Sequence, residues 1–351
     1  MAKILKLKQS ERKHYLLIDN APFISAIKKI NKNKYKFLIV INKHKKVIGT
    51  LTDGDIRRAN LKFKNFEKLK LKDVISNKFI KVNYKEPDYK IENYLTKNKI
   101  PYIPIVNNLD VIKGIAVLGS NRFKTHNNTI IIMAGGKGKR MMPLTKDKPK
   151  PLISYKGMSI LKNIIINAKK QGFINFIISI NYLGDMIKNE FGNGSKLGIN
   201  IEYIFEKNPL GTAGSLSLIK KSFSEPVIVT NADIITNVDY SLLLDFHIKK
   251  KSFTTVVLKN YSWQNPYGVV KIKNLKVKDI IEKPVYMYSV LAGIYVLDKK
   301  FNINLKTNIK LDMPNYLQYL INLNKKIIGY SLYEDILEIS NYNEFLKLNK
   351  L

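Results

Sequence analysis

Residues Thr129 to Leu152 read TIIIMAGGKGKRMMPLTKDKPKPL, and the reading of this stretch decides the fold. Thr129 to Met133 is a short, apolar, largely β-branched run, which predicts a fully buried strand. It leads straight into Ala134-Gly135-Gly136-Lys137-Gly138, where almost no side chain keeps a ligand from the main chain. Glycine tolerates positive φ and close approach, so successive N–H groups in such a loop can converge on phosphate oxygens. Arg140 follows at once, and Lys148 and Lys150 arrive within a Lys-Pro-Lys-Pro frame. Proline on both sides of Lys150 stiffens the backbone there and holds the ammonium in place. The stretch predicts a polyphosphate site at the end of a buried strand.

Better-known phosphate loops do not fit. A P-loop needs Gly-x-x-x-x-Gly-Lys-[Ser/Thr], which is absent, and a dinucleotide fingerprint needs a third glycine where Met141 stands. What fits is A-G-G-x-G-x-R, then P-L-T, then K-P-K-P-L, and in these residues the chain resembles the sugar-1-phosphate nucleotidyltransferases. The resemblance implies an α/β fold: a Rossmann-like nucleotidyltransferase domain with a mostly parallel mixed sheet. It also implies an NTP and a sugar 1-phosphate as substrates and Mg²⁺ as cofactor.

At 351 residues the chain is long enough for two domains, each with its own core. It has no cysteine, which excludes disulfides and thiolate metal sites. His14, His44, His126 and His247 are scattered, which argues against zinc. The N-terminus lacks the apolar core of a signal peptide, and no apolar run approaches the ~18 residues of a membrane span. The expectation is a cytoplasmic protein with no membrane partner. A formal charge of +34 invites a nucleic-acid reading. Only five of the 61 basic residues are arginine, however, and lysine is spread along the chain with abundant Ile and Asn. That is a compositional bias rather than a patch, so no nucleic-acid partner is expected. Within it Arg140 stands out, because a planar guanidinium binds phosphate differently from an ammonium.

Ahead of the loop an order of elements recurs. A helix signal at Asp19 to Pro22 precedes strands at 37–41 and 47–51, and a helix at 87–98 precedes strands at 103–106 and 111–117. Gly49 and Gly114 hold matching places 65 residues apart, which reads as a two-unit repeat. The units resemble a tandem pair of CBS domains, an α+β module. The family's G-x-x-[S/T]-x-x-[D/N] motif is present as Gly49 to Asp55, and the resemblance implies Thr52 on a phosphate and Asp55 on a ribose of a regulatory adenine nucleotide. The second unit has Val117 and Ser120 at those places, so no equivalent site is expected. Thr-Asp-Gly-Asp is also a plain turn and helix cap, and a scaffold or dimerisation role stays open. The expected layout is a CBS pair over 1–120, a linker over 121–128, and a catalytic domain over 129–351, with a homo-oligomer formed through the CBS pair.

Beyond the loop, strands alternate with helices, which predicts ligands at the carboxyl ends of a mostly parallel sheet. A helix is expected over 213–222. Before it stands Leu210-Gly211-Thr212, whose small residues can admit a base and ribose; the family's LGTAG contacts nucleotide and sugar, while an ordinary N-cap at Thr212 explains the local residues nearly as well. Asp233 leaves the 227–230 strand, where one carboxylate oxygen can hold Mg²⁺ among phosphates and water.

The remaining roles come from the resemblance alone. Gly268 and Glu282 would face the sugar and Lys283 its phosphate. Arg140 would stabilise the departing phosphates, and Lys150 would sit between the α-phosphate and the sugar phosphate. Glu338 stands where relatives carry a second metal-binding Asp, Ser340 where they carry Gly, and Leu291 where they carry Asn; the plain reading of 334–345 is a helix start with solvated acids. CBS-fused relatives include guanylyltransferases of surface-glycan pathways, of the legionaminic acid type, so GTP and glucosamine 1-phosphate are the expected pair. Mannose, heptose or glucose 1-phosphate, with UTP or CTP, are alternatives. Another is a nucleotide sensor whose transferase half has decayed.

Overall fold

The computed structural model describes residues 4–63, 69–98, 100–118, 125–302, 305–339 and 341–349. Two compact units emerge: Met1–Asn121 with Asn260–Ser289, and Arg122–Lys259 with Val290–Leu351.

In the second unit a seven-stranded sheet runs in the order Asn200–Phe205, Phe173–Ile180, His126–Met133, Val227–Asn231, Val285–Leu297, Thr254–Gln264, Ile327–Leu332. The first four strands are mutually parallel, Val227–Asn231 meets Val285–Leu297 antiparallel, and Thr254–Gln264 meets Ile327–Leu332 parallel. The sheet is therefore mixed and mostly parallel, as expected. Ile130, Ile131 and Ile132 are all fully buried, because alternate side chains enter cores on opposite faces. Ile130 and Ile132 pack with the helices Ile160–Lys170 and Tyr240–Lys250. Ile131 packs with Tyr316, Leu317 and Leu320 of the helix Met313–Asn322. Burying each such isoleucine contributes about 1.5–3 kcal/mol, which fixes the strand under the loop.

Strand order places the ligand region. From His126–Met133 the chain winds outward through Phe173–Ile180 to Asn200–Phe205, then returns to lay Val227–Asn231 on the other side. The topological switch point thus falls where Met133 pairs with Asn231, and in open α/β sheets a crevice opens outside the strand ends there.

In the first unit two sheets repeat one plan. Leu16–Ile18, Phe37–Ile41 and Val47–Thr52 form one; Ile4–Lys6, Ile112–Leu118, Tyr102–Val106 and Val82–Asn83 form the other. Val40 pairs with Gly49 and Ile105 with Gly114, and an irregularity follows each pair at the equivalent step. The 65-residue repeat is thus visible in the register itself. Asn260–Ser289 joins this unit, where Asn260 Nδ2 donates to Asn60 Oδ1 at 2.9 Å. Its hairpin, Val269–Lys273 with Lys276–Ile281, is solvent-exposed.

Three local expectations are corrected. The strand begins at His126, so 126–128 are not linker; residues 121–124 of that stretch lie outside the described residues. The helix expected over 213–222 is one α-turn, Gly211–Gly214, and a 3-10 turn, Ser215–Leu218. Ala213 and Gly214 donate their first-turn N–H groups to Leu311 O, and the run stops where Ile219 turns extended and its carbonyl accepts from Asn302 Nδ2. The stretch read as a helix start at 334–345 first forms a strand, Ile336–Glu338, paired with Ile234–Thr236, and helix follows only at Tyr342–Asn349.

Candidate active site

A pocket of about 410 Å³ opens at the switch point. Its walls include Ala134, Gly135, Gly136, Gly138, Arg140, Lys150, Gly211, Thr212 and Asp233. Residues spread over about a hundred positions of sequence meet there.

The glycine loop needs its glycines at identifiable points. Ala134 N–H donates to Ser179 O at 2.8 Å, which ties the loop to the neighbouring strand. A Cβ on Gly135 would stand 2.6 Å from Glu206 Oε1. Gly138 has φ 61° and ψ 29°, a left-handed conformation, and its Cβ would meet Thr145 Cγ2 at 2.9 Å and Lys150 Cβ at 3.2 Å. Thr145 is fully buried and its hydroxyl donates to Gly138 O at 2.9 Å, so the loop closes on itself. Arg140 sits in a short 3-10 turn, exposed at the mouth, and forms no ion pair with any described residue.

Lys150 opens another 3-10 turn, Lys150–Leu152, behind Pro149, and its Nζ lies 2.6 Å from Asp233 Oδ2. Asp233 follows directly from the Val227–Asn231 strand, held by Ala232 N–H donating to Met133 O. Its other oxygen, Oδ1, is buried and has no hydrogen-bond partner. A bare, buried carboxylate oxygen on a residue that lines the pocket fits a hard cation. No group of three or more His, Cys, Asp or Glu side chains that could hold a metal occurs among the described residues. That donor set suits Mg²⁺, which takes one or two carboxylates and fills its shell with phosphate and water.

The Leu210-Gly211-Thr212 segment forms the opposite wall. Leu210 itself is buried beneath the surface rather than lining it. Gly211, at φ 78°, would place a Cβ 2.5 Å from Asp312 Oδ1 and 2.7 Å from Leu311 O. The Thr212 hydroxyl does not cap its own helix. It accepts the Met313 N–H at 2.8 Å and so caps Met313–Asn322.

Glu338 is exposed and outside the pocket lining, although its strand pairs beside Asp233: Ile234 faces Glu338, and Ile339 N–H donates to Asp233 O. Ser340 lies outside the described residues. Gly268, Glu282 and Lys283 flank the exposed hairpin of the first unit. There a Cβ on Gly268 would stand 3.0 Å from Glu282 Oε2, and Lys283 Nζ lies 3.9 Å from Glu282 Oε1. In the same unit Thr52 and Asp55 form a reciprocal helix cap, with Asp55 Oδ2 accepting from Thr52 N at 2.7 Å and Oγ1 at 2.6 Å. Asp55 also pairs with Arg58, while Arg57 makes a buried two-point pair with Asp53 at 2.8 and 2.9 Å. Tyr102 stacks on Phe37 at 3.8 Å, and burial pushes its phenol up to about 12.

Glu206 is the site residue that sequence reading missed. It is only 5% exposed, lines the pocket, accepts from Ser179 Oγ at 2.6 Å through Oε1 and from Leu210 N–H at 3.0 Å through Oε2. A signal existed: it is the first residue after the Asn200–Phe205 strand, at the carboxyl edge where ligands gather.

An open α/β sheet with a glycine loop at its switch point, faced by a cation and a carboxylate, is the architecture of a nucleotide-binding protein. Residues 129–322 match the nucleotidyl transferase family, and this chain belongs to it; residues 17–62 match the CBS domain. Among similar proteins are a mannose-1-phosphate guanylyltransferase of Mycobacterium tuberculosis, 33% identical over 42% of this chain and 41% of its own length. Another is the mannose-1-phosphate guanyltransferase beta-B of Xenopus laevis, 33% identical over 47% of this chain and 48% of its own length. The chain thus spans less than half the length of these two relatives. A solved structure named for a glucose-1-phosphate thymidylyltransferase of Bacillus anthracis has the same fold, with a TM-score of 0.52 at 22% identity over 63% of this chain and 94% of that one.

Proposed function

We propose that this chain transfers a nucleotidyl group from an NTP to a sugar 1-phosphate, with GTP and glucosamine 1-phosphate as the first pair to test. The observation that carries this reading is the convergence of the Gly135 to Gly138 loop, Arg140, Lys150 and Asp233 on one pocket. In the reaction a sugar-phosphate oxygen bonds to the α-phosphorus as the bond from that phosphorus to the bridging oxygen breaks. Pyrophosphate leaves with the electron pair, and no proton need move. Little covalent work falls to the protein, so alignment and charge neutralisation carry the rate. Arg140 faces the β,γ-phosphates and stabilises them as they depart. Lys150 sits between the two reacting phosphates. Mg²⁺, when bound, neutralises charge on the α-phosphate. Asp233 would hold it, and the pairing of the Ile336–Glu338 strand beside Asp233 supports Glu338 as the second residue that would do so.

Support for guanine comes from Glu206 and from the names of the relatives. A carboxylate has about four acceptor positions, and two remain after Ser179 and Leu210. Guanine alone among the four bases presents two adjacent N–H donors, N1–H and N2–H₂, on its pairing edge. Gly268, Glu282 and Lys283 are assigned to the sugar and its phosphate, supported by their clustering at one end of the hairpin. Residues 1–120 are assigned to regulation and self-association, in a cytoplasmic protein, with an adenine nucleotide at Thr52 and Asp55. Such a ligand must compete with Arg58 for Asp55.

The relatives favour mannose 1-phosphate as a second reading of the sugar. A pyrophosphate-release screen of four NTPs against glucosamine, mannose, heptose and glucose 1-phosphates, with Mg²⁺, tests both. GTP-dependent turnover is expected; mannose outrunning glucosamine selects the second reading, and no turnover with any pair rejects the transferase.

A further inference from the structure

The ion pair at the pocket joins residues 83 apart in sequence: Lys150 Nζ sits 2.6 Å from Asp233 Oδ2, with side chains 11% and 25% exposed. The same carboxylate has Oδ1 buried and bare. One oxygen is pinned by an ammonium and the other lacks any donor, so the carboxylate is poised for a cation yet already half neutralised. An ammonium and a divalent ion cannot both sit against one carboxylate without strong mutual repulsion at this separation.

We propose that Lys150 is a placeholder for the divalent ion on Asp233, so that metal enters with the nucleotide and not ahead of it. The proposal rests on the magnesium reading above. Lysine suits the task because its charge is a compact point on a flexible four-carbon stem, free to swing while its Cα stays fixed between Pro149 and Pro151. An arriving triphosphate offers Lys150 a stronger partner than one carboxylate. Its departure frees Oδ2 as the phosphates bring the ligands that Asp233 alone cannot supply. A metal ion arriving without nucleotide must take the bare Oδ1 against the repulsion of the ammonium on Oδ2, and it finds no phosphate oxygens to complete its shell. Lys150 thereby couples the two binding steps, and each ligand tightens the other by the same factor.

Mn²⁺ is the probe, with binding followed by electron paramagnetic resonance and calorimetry on the full chain, with and without an α,β-methylene analogue of GTP. Lys150→Gln is expected to bind Mn²⁺ alone at least about tenfold more tightly than the parent. Lys150→Arg, which keeps the charge, is expected to stay as weak as the parent, and adding Asp233→Asn to Lys150→Gln abolishes the gain. The parent protein, which needs no substitution and hence no folding control, is expected to bind Mn²⁺ and the analogue cooperatively. Independent binding in the parent, or equal affinity of parent and Lys150→Gln for Mn²⁺ alone, overturns the placeholder. If Asp233→Asn still weakens Mn²⁺ in the nucleotide complex, the magnesium reading survives that failure. If Asp233→Asn changes Mn²⁺ binding in neither state, both fall.

Discussion

Gly138→Ala separates a phosphate loop shaped by glycine from one that merely contains it. Gly138 is left-handed, and placing an ordinary residue in that conformation costs about 1–2 kcal/mol. The new methyl would also stand 2.9 Å from Thr145 Cγ2 and 3.2 Å from Lys150 Cβ. Neither neighbour yields readily: Thr145 is fully buried with its hydroxyl on Gly138 O, and Lys150 is anchored to Asp233. Overpacking of this kind adds about 1–3 kcal/mol. The sum, about 2–5 kcal/mol, lowers Tm by roughly 5–15 °C in a unit of this size. Relief of the clash moves Lys150 relative to the loop, and a displacement near 1 Å costs about a hundredfold in turnover. Gly136→Ala is the control, since nothing lies within 4 Å of its added Cβ and its φ is not positive. Its stability should stay within about 0.5 kcal/mol of the parent. Thermal unfolding and pyrophosphate release measure both variants. An unchanged Tm and turnover in Gly138→Ala, or an equal loss of stability in Gly136→Ala, would refute the reasoning.

Arg140→Ala should cut pyrophosphate release by about a thousandfold or more at unchanged Tm, because the guanidinium is exposed and forms no ion pair with any described residue; near-full release would remove it from the site. Glu206→Gln should narrow the preference for GTP over UTP by about tenfold or more, read as a ratio of kcat/KM, since the amide replaces one acceptor oxygen by a donor; an unchanged ratio would sink the base assignment. His247 is 2% exposed, with Nδ1 at 2.9 Å from Thr255 Oγ1 and 3.1 Å from Ser252 Oγ. Burial lowers its pKa from 6.5 to about 4, with Asp298 opposing the shift. The unfolded chain therefore binds more protons between these values, so the neutral-His contribution is complete above pH 6.5 and is lost as pH falls toward 4, by about 3 kcal/mol in all. Denaturant midpoints of the parent and His247→Gln between pH 7 and 4 should diverge in slope; parallel curves would contradict this.

The legible parts of the site were those written contiguously. Thr129 to Met133 is apolar on both faces, so burial was fixed whichever way it turned, and the loop follows it within five residues. Asp233 was legible because it leaves a strand of similar character. Legibility failed where a distant segment took over local hydrogen bonds. The helix that local propensity favours past Leu218 stops at Ile219, which is extended and gives its carbonyl to Asn302 Nδ2, 83 residues away. The strand Ile336–Glu338 exists because Ile234–Thr236 offers it an edge, and an isolated three-residue strand carries no signal of its own.

Taken alone, the sequence determined that a glycine loop follows a buried strand, that a 65-residue unit repeats, and that Arg140 stands apart in a lysine-rich chain. Only the tertiary structure decided that Lys150 rests on Asp233, that Glu206 stands behind Gly135, and that Asn260–Ser289 belongs with the N-terminal residues. The division has one physical cause. Backbone conformation and burial follow from neighbours a few residues away, whereas a pairing across 83 residues depends on which strands lie side by side, and strand order is set by the packing of the whole sheet.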